Sequence, residues 1–160
     1  MGAKAKGRRS RTAGEVKTTR LDVAKQELEV AVQNLAKGVT FNIVTFGSIV
    51  KPWEDGQTKI GKKTRADALE FVRAIGLGGG TNTFGGLMAA FDDEQVDTIY
   101  LLSDGAPSQG KLVSAEGIRE HFRLLNRVRR VRIHCISVGQ ASALMRGLAE
   151  DSGGEYVEVL

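Results

Sequence analysis

The stretch that most restricts how this chain can fold is Val96-Asp-Thr-Ile-Tyr-Leu-Leu-Ser103, which runs straight into Asp104-Gly-Ala-Pro107. A run so rich in β-branched and aromatic residues belongs inside a covered sheet, and Gly and Pro directly after it impose a turn. Three other segments share the strand character: Val39–Gly47, apolar on both faces; Val131–Val138; and the short Tyr156–Val159. Ser48 to Trp53 extends the first of these or pairs beside it, with Pro52 favouring an edge.

Helical patterns separate the strands. Thr19-Arg-Leu-Asp22 reads as a capping box, followed by Leu21, Ala24, Leu28, Ala31 and Leu35 at steps of three and four up to Gly38. Thr64-Arg-Ala-Asp67 opens a second helix carrying Ala68, Phe71, Val72 and Ile75, stopping at Gly76. The loop Gly78-Gly-Gly-Thr-Asn82 leads into a short helix with Phe84, Leu87, Met88 and Phe91 on one face. Ser114 caps a helix with Ala115, Ile118, Phe122 and Leu125 inward, and Leu144, Met145 and Leu148 mark a last one ending near Gly153. Strands and helices alternating at this spacing imply an α/β fold: a doubly wound, mostly parallel sheet with helices on both faces.

The 160 residues, 41% hydrophobic, suffice for one core and one domain. No apolar run reaches the roughly 18 residues of a membrane span, and the basic start lacks a signal peptide's apolar segment, so the default expectation is a cytoplasmic chain with no membrane insertion. The single cysteine, Cys135, excludes an internal disulfide and reads as a buried, inert thiol. Residues 1 to 20 hold seven Lys/Arg and one acid, a net +6, against −2 for the remainder. Residues 1–18 thus read as a flexible basic leader or insertion loop before a domain over 19–160. With no aromatic among its charges to stack a base, nucleic-acid binding is not expected.

In open α/β sheets ligands bind at the carboxyl ends of strands. Two loops meet that criterion. One presents Thr81 after Gly78, Gly79 and Gly80, whose backbone can approach a ligand closely. The other fixes Asp104 between a buried strand and a Gly-Ala-Pro turn. A hydroxyl and a carboxylate are hard oxygen donors, suited to Mg²⁺, Mn²⁺ or Ca²⁺. So little negative charge leaves a metal electrophilic and ready to accept a partner's carboxylate, which needs no catalytic base.

These residues resemble the von Willebrand factor A-type domain and its metal-ion-dependent adhesion site. Phe41-Asn-Ile-Val-Thr-Phe46 is similar to that family's second strand, Gly79-Gly-Thr-Asn82 to its threonine loop, and Leu101-Leu-Ser-Asp-Gly-Ala-Pro107 to its aspartate loop; the order of elements agrees from about Leu21 to Val159. The resemblance implies a non-enzymatic protein-binding domain in which Thr81 is a metal ligand and Asp104 holds the metal, often through water. Gly79, Gly80, Asn82, Ser103 and Gly105 then form the supporting loops. The family's first strand and its Asp-x-Ser-x-Ser motif should precede the Leu21 helix, and neither is in this sequence. Since Met-Gly commonly follows that motif, the opening Met1-Gly2 suggests that residues 3 to 18 are an insertion after the missing strand. Two ligands alone give weak metal affinity or none. The expected partner is a protein or peptide with an acidic residue, and a sheet short of a strand invites self-association.

Other readings compete. One is a metal-free interaction or structural module in which the loops serve only as scaffold. Another is a nucleotide site, because Gly105-Ala-Pro-Ser-Gln-Gly-Lys111 fits G-x-x-x-x-G-K after a strand; Leu112 stands where a Ser/Thr would hold Mg²⁺, and Pro107 removes an amide. A dinucleotide fingerprint is weaker still, because Gly76, Gly78 to Gly80, Gly85 and Gly86 follow a helix where that motif must follow a strand. Ala106-Pro-Ser-Gln-Gly110 lacks the first glycine of a nucleophile elbow, His121 and His134 read as structural, and Asp92-Asp-Glu94 as a solvated helix end.

Overall fold

The computed structural model describes residues 18–76 and 78–160; the basic leader, apart from the exposed Thr18, lies outside the described residues. In chain order the elements are α1 (Arg20–Gln33), β1 (Thr40–Phe41), β2 (Val44–Phe46), β3 (Val50–Pro52), β4 (Thr58–Lys59), α2 (Lys62–Ala74), α3 (Thr83–Phe91), β5 (Thr98–Ser103), α4 (Ala115–Arg129), β6 (Arg132–Val138), α5 (Ala143–Ser152) and β7 (Tyr156–Val159).

The C-terminal half has the expected winding. Strands β5, β6 and β7 form a parallel sheet in sequence order, with Tyr100 opposite His134 and Ile136 opposite Val157. One face of it, through Ile99, Leu101, Ile133 and Cys135, is buried beneath Phe84, Leu87 and Phe91 of α3, Ile118 and Phe122 of α4, and Leu144, Met145 and Leu148 of α5. Helix α1 lies against β5 and β6, and α2 packs on α1. A second core, Val32, Ile43, Ala68 and Val72, joins those two helices to the N-terminal strands. Cover on the second face of the parallel sheet is partial: Tyr100 remains 56% exposed, its ring stacked on His134 at 5.0 Å.

Strand β1 pairs antiparallel with β4, and β2 with β3, so parallel pairing is confined to the C-terminal half. The single strand expected over Val39–Gly47 is broken at Asn42–Ile43. The Asn42 side chain stands in for main chain there: its Oδ1 accepts from the Ile43 and Glu54 amides and its Nδ2 donates to the Glu54 carbonyl. Nor is the run covered on both faces, since Ile43 alone in it is fully buried. Ser48 to Trp53 does pair beside it, as β3.

Among the described residues no ladder joins β2 to β5. The Asp97 carbonyl accepts from Arg132 at 2.9 Å, so by strand alternation the main-chain groups of Thr98, Tyr100 and Leu102 point to the opposite, unpaired edge. The two halves meet instead through the Asn82 N–H, which donates to the Gly47 carbonyl, and through side chains: the Phe46 ring lies against Gly86, where a Cβ would come within 2.8 Å of it.

Boundaries shift for local reasons. The Thr19–Asp22 capping box is present, but α1 ends at Gln33, before Leu35. In α2, Thr64 is the third helical residue and not the cap: its Oγ1 accepts from Gly61 N–H at 2.8 Å, so the helix begins at Lys62. Ala115, expected inward, is exposed because it is the first residue of α4, beyond the first turn that Ile118 buries.

Candidate functional site at the carboxyl end of β5

Three loops interlock where β5 ends. The Thr81 N–H donates to Ser108 Oγ at 2.9 Å, while the Ser108 N–H donates to the Thr81 carbonyl at 2.9 Å, joined by the Gln109 N–H at 3.3 Å. Asn82 Oδ1 caps α3 by accepting from Gly85 N–H, its own N–H donates to the Gly47 carbonyl at 3.0 Å, and the Ser48 hydroxyl donates to the Gly79 carbonyl. Glycine is required at two of these positions. Gly80 has φ +63°, and a Cβ there would run into the Gln109 side chain; Gly110 has φ +105°, and a Cβ there would run into the Asn82 side chain.

Every hydrogen bond to Thr81 uses its main chain, which leaves its hydroxyl without a partner among the described residues. That hydroxyl faces the other loop, 3.8 Å from where a Cβ on Gly105 would sit. Ser103 Oγ braces the turn after β5, donating to the Gly105 carbonyl at 3.2 Å and accepting from its N–H. Asp104 is held by its carbonyl, which accepts from Gln140 Nε2 at 3.0 Å and Arg20 Nη1 at 3.3 Å. Its exposed carboxylate makes no hydrogen bond or ion pair among the described residues. The structure therefore brings Thr81 and Asp104 onto neighbouring, cross-braced loops, with Gly79, Gly80, Asn82, Ser103 and Gly105 supporting them.

The donors suit a hard cation in kind but not in number. Such an ion takes six or so oxygens, and among the described residues no three His, Cys, Asp or Glu side chains gather to hold a metal. Arg20 adds positive charge beside the site. Sequence reasoning missed Arg20, Ser108, Gln109 and Gln140. Gln140 follows β6 as Asp104 follows β5, so the strand-end criterion could have found it; Arg20 carries no local signal, because it meets Asp104 across 84 positions.

The competing sites dissolve. In Gly105–Lys111 the amides of Ser108 and Gln109 already serve Thr81, and the next helix starts only at Ala115, so no phosphate cradle forms. His121 packs edge-on against Phe84 at 4.9 Å, and His134 Nδ1 accepts from Glu155 N–H at 3.1 Å. Burial pushes the Cys135 thiol up to about 12, which keeps it protonated and inert.

The family model described as the von Willebrand factor type A domain matches residues 12–158. The chain is 27% identical over 143 residues to human von Willebrand factor A domain-containing protein 3B, covering 86% of the chain and 10% of that protein. It is 25% identical over 126 residues to bovine inter-alpha-trypsin inhibitor heavy chain H1, covering 67% and 14%. It thus spans about a tenth of the length of such relatives. Among solved structures, a von Willebrand factor type A protein from Catenulispora acidiphila superposes with a TM-score of 0.72 at 17% identity, over 88% of this chain and 34% of that one. Proximal thread matrix protein 1 from the mussel byssus superposes with a TM-score of 0.60 at 19% identity, over 86% and 36%.

Proposed function

The chain belongs to the von Willebrand factor type A domain family, and on that premise we propose that it is a protein-interaction module whose upper loops engage a partner's carboxylate through a divalent cation, Mg²⁺ or else Mn²⁺ or Ca²⁺. The supporting observation is that, among the described residues, the Thr81 hydroxyl and the Asp104 carboxylate make no hydrogen bond or ion pair while their backbones are cross-braced. Side chains so placed can bind a ligand without first breaking internal contacts. The cation would supply Lewis acidity toward the incoming carboxylate; Thr81 and Asp104 would hold it, and water and the partner would fill the rest of its shell. No proton transfer is involved, so no general base is required. The edge of β5 that no described residue pairs offers a second route to association, by pairing with an extended segment of another copy.

Titrating Mn²⁺ into ¹⁵N-labelled protein tests the metal reading. Broadening centred on Thr81, Asp104 and Gly105, lost in Asp104→Ala, supports it; broadening elsewhere, or unchanged by that substitution, overturns it.

One observation favours a metal-free reading. The Arg20 guanidinium reaches the Asp104 carbonyl and could meet a partner's carboxylate directly. Partner binding that survives EDTA but is lost in Arg20→Gln would establish this alternative.

A further inference from the structure

Strand β7 ends the parallel sheet, and among the described residues nothing pairs with its outer edge. Alternation fixes which groups face outward. The Glu155 and Val159 carbonyls accept from Cys135 N–H and Gly139 N–H, so residues 155, 157 and 159 turn their main chain toward β6, and Tyr156 and Glu158 turn theirs away. Val157 lies opposite Ile136, on the sheet face that carries Tyr100 and His134, and is 48% exposed. Tyr156 and Glu158 lie on the other face, where Arg146 of α5 stands over the Tyr156 ring at 4.4 Å and bonds the Glu158 carboxylate at 3.0 Å. Helix α5 packs chiefly on β6, which leaves the outer edge of β7 clear of it. Sheet edges are commonly guarded by lysine, proline or a bulge; β7 reads Tyr-Val-Glu-Val, and its one charge is already paired.

We propose that this edge is a homodimer interface, in which β7 pairs antiparallel with β7 of a second copy about a twofold axis and joins two three-stranded sheets edge to edge. It is independent of the cation reading. The occupant follows from self-complementarity. A twofold pairing must bring outward groups onto outward groups, so its axis passes Tyr156, Val157 or Glu158. Centring on Glu158 sets two Glu158 carboxylates opposite each other, and like charges so placed repel. Centring on Tyr156 sets Glu158 opposite Gly154, whose N–H is already given to the Ala149 carbonyl at 2.8 Å. Centring on Val157 avoids both faults. Tyr156 of each copy then faces Glu158 of the other, and each such pair exchanges both main-chain hydrogen bonds. Arg146, beside Tyr156, gains the other copy's carboxylate as a neighbour, and the two Val157 side chains meet on the axis and cover each other. The stripe from Tyr100 through His134 to Val157 runs on unbroken into the second copy.

Sedimentation equilibrium of the full chain at rising concentration should show monomer and dimer in exchange, the dimer being weak because so short an edge buries little area. Over the same series, exchange of the Tyr156 and Glu158 amides should slow. Val157→Lys sets two ammonium groups on the axis and should abolish the dimer, whereas Val157→Ile should retain it. Val157→Cys should cross-link in a glutathione redox buffer, because residues facing each other in a non-hydrogen-bonded pair stand within disulfide reach. Glu155→Cys, set away from the axis, should not, and the parent's buried Cys135 provides the blank. Cross-linking also decides the matter should Val157→Lys fail to fold. A chain still monomeric at about 1 mM, where even a millimolar dimer is half formed, overturns the proposal. So does a dimer that survives Val157→Lys, or a Val157→Cys chain that cross-links no faster than Glu155→Cys. Protection that appears at Thr98, Tyr100 and Leu102 instead would move the contact to the β5 edge and overturn it as well.

Discussion

Thr81 and Ser108 hold each other by reciprocal hydrogen bonds, amide to hydroxyl and amide to carbonyl, both 2.9 Å long. The pair belongs to two loops 27 residues apart and makes them one unit. Ser108→Ala removes the hydroxyl and leaves the Thr81 amide to water. The expected loss is about 1 kcal/mol of stability, read by urea denaturation, with Mn²⁺ broadening at Thr81 and Asp104 weakened several-fold. Unchanged broadening would show that the brace does not position the donors.

Tyr156→Phe tests the support beneath the start of α5. Its phenol oxygen serves both the buried Ser137 hydroxyl and the Ser142 amide, and Ser142 is the cap of α5. Losing it should cost about 1–3 kcal/mol. A urea midpoint equal to that of the parent would show that water replaces the phenol.

Acid stability should carry the mark of Asp151. The Arg119 guanidinium holds its carboxylate through two hydrogen bonds, of 2.9 and 2.8 Å, and keeps its pKa below the ordinary 3.8. Because the folded value is the lower one, the stabilisation is complete above pH 3.8 and is lost as pH falls through the depressed value. The stability gap between the parent and Asp151→Asn should hold steady from pH 7 to 5 and shrink below pH 3.8. A gap independent of pH down to 2.5 would contradict the pairing.

Arg130 ends α4 with φ +54°, the one non-glycine residue at positive φ among the described residues. A side chain there costs about 1 kcal/mol relative to glycine. Arg130→Gly should therefore raise the thermal midpoint by a few degrees; a fall would mean that the arginine makes a compensating contact.

How legible these features were depends on the range of the forces that make them. Strand β7 and the Ser114 and Ser142–Gly153 limits of the last two helices follow from residues within one turn of each other, and Ser114 and Gly153 could be read directly. The break at Asn42 could not, since it depends on Glu54 arriving opposite, and the start of α2 was misplaced because Thr64 can cap from inside the helix as well as from outside. For the candidate site, the placement of Thr81 and Asp104 on loops at the carboxyl end of the sheet was legible because glycines and a strand end advertise them. Arg20 and Ser108 were not, because their roles exist only once distant loops meet.

The absence, among the described residues, of a ladder between β2 and β5 bears on how this molecule comes apart. Among the described residues no strand ladder crosses from one half to the other there, so the two cores share cooperativity mainly through helix packing, the main-chain bond from Asn82 to Gly47 and contacts such as Phe46 on Gly86. Such an arrangement divides a domain into units of unequal stability. Slow amide exchange should concentrate in β6, which is paired on both sides, while α1, α2 and the short antiparallel pairs open earlier and on their own. The Thr81 loop hangs from the less stable half by Gly47 and Ser48, and from the more stable half by Ser108. It is thus a joint between two unfolding units, and a ligand bound at Thr81 and Asp104 would fasten them together.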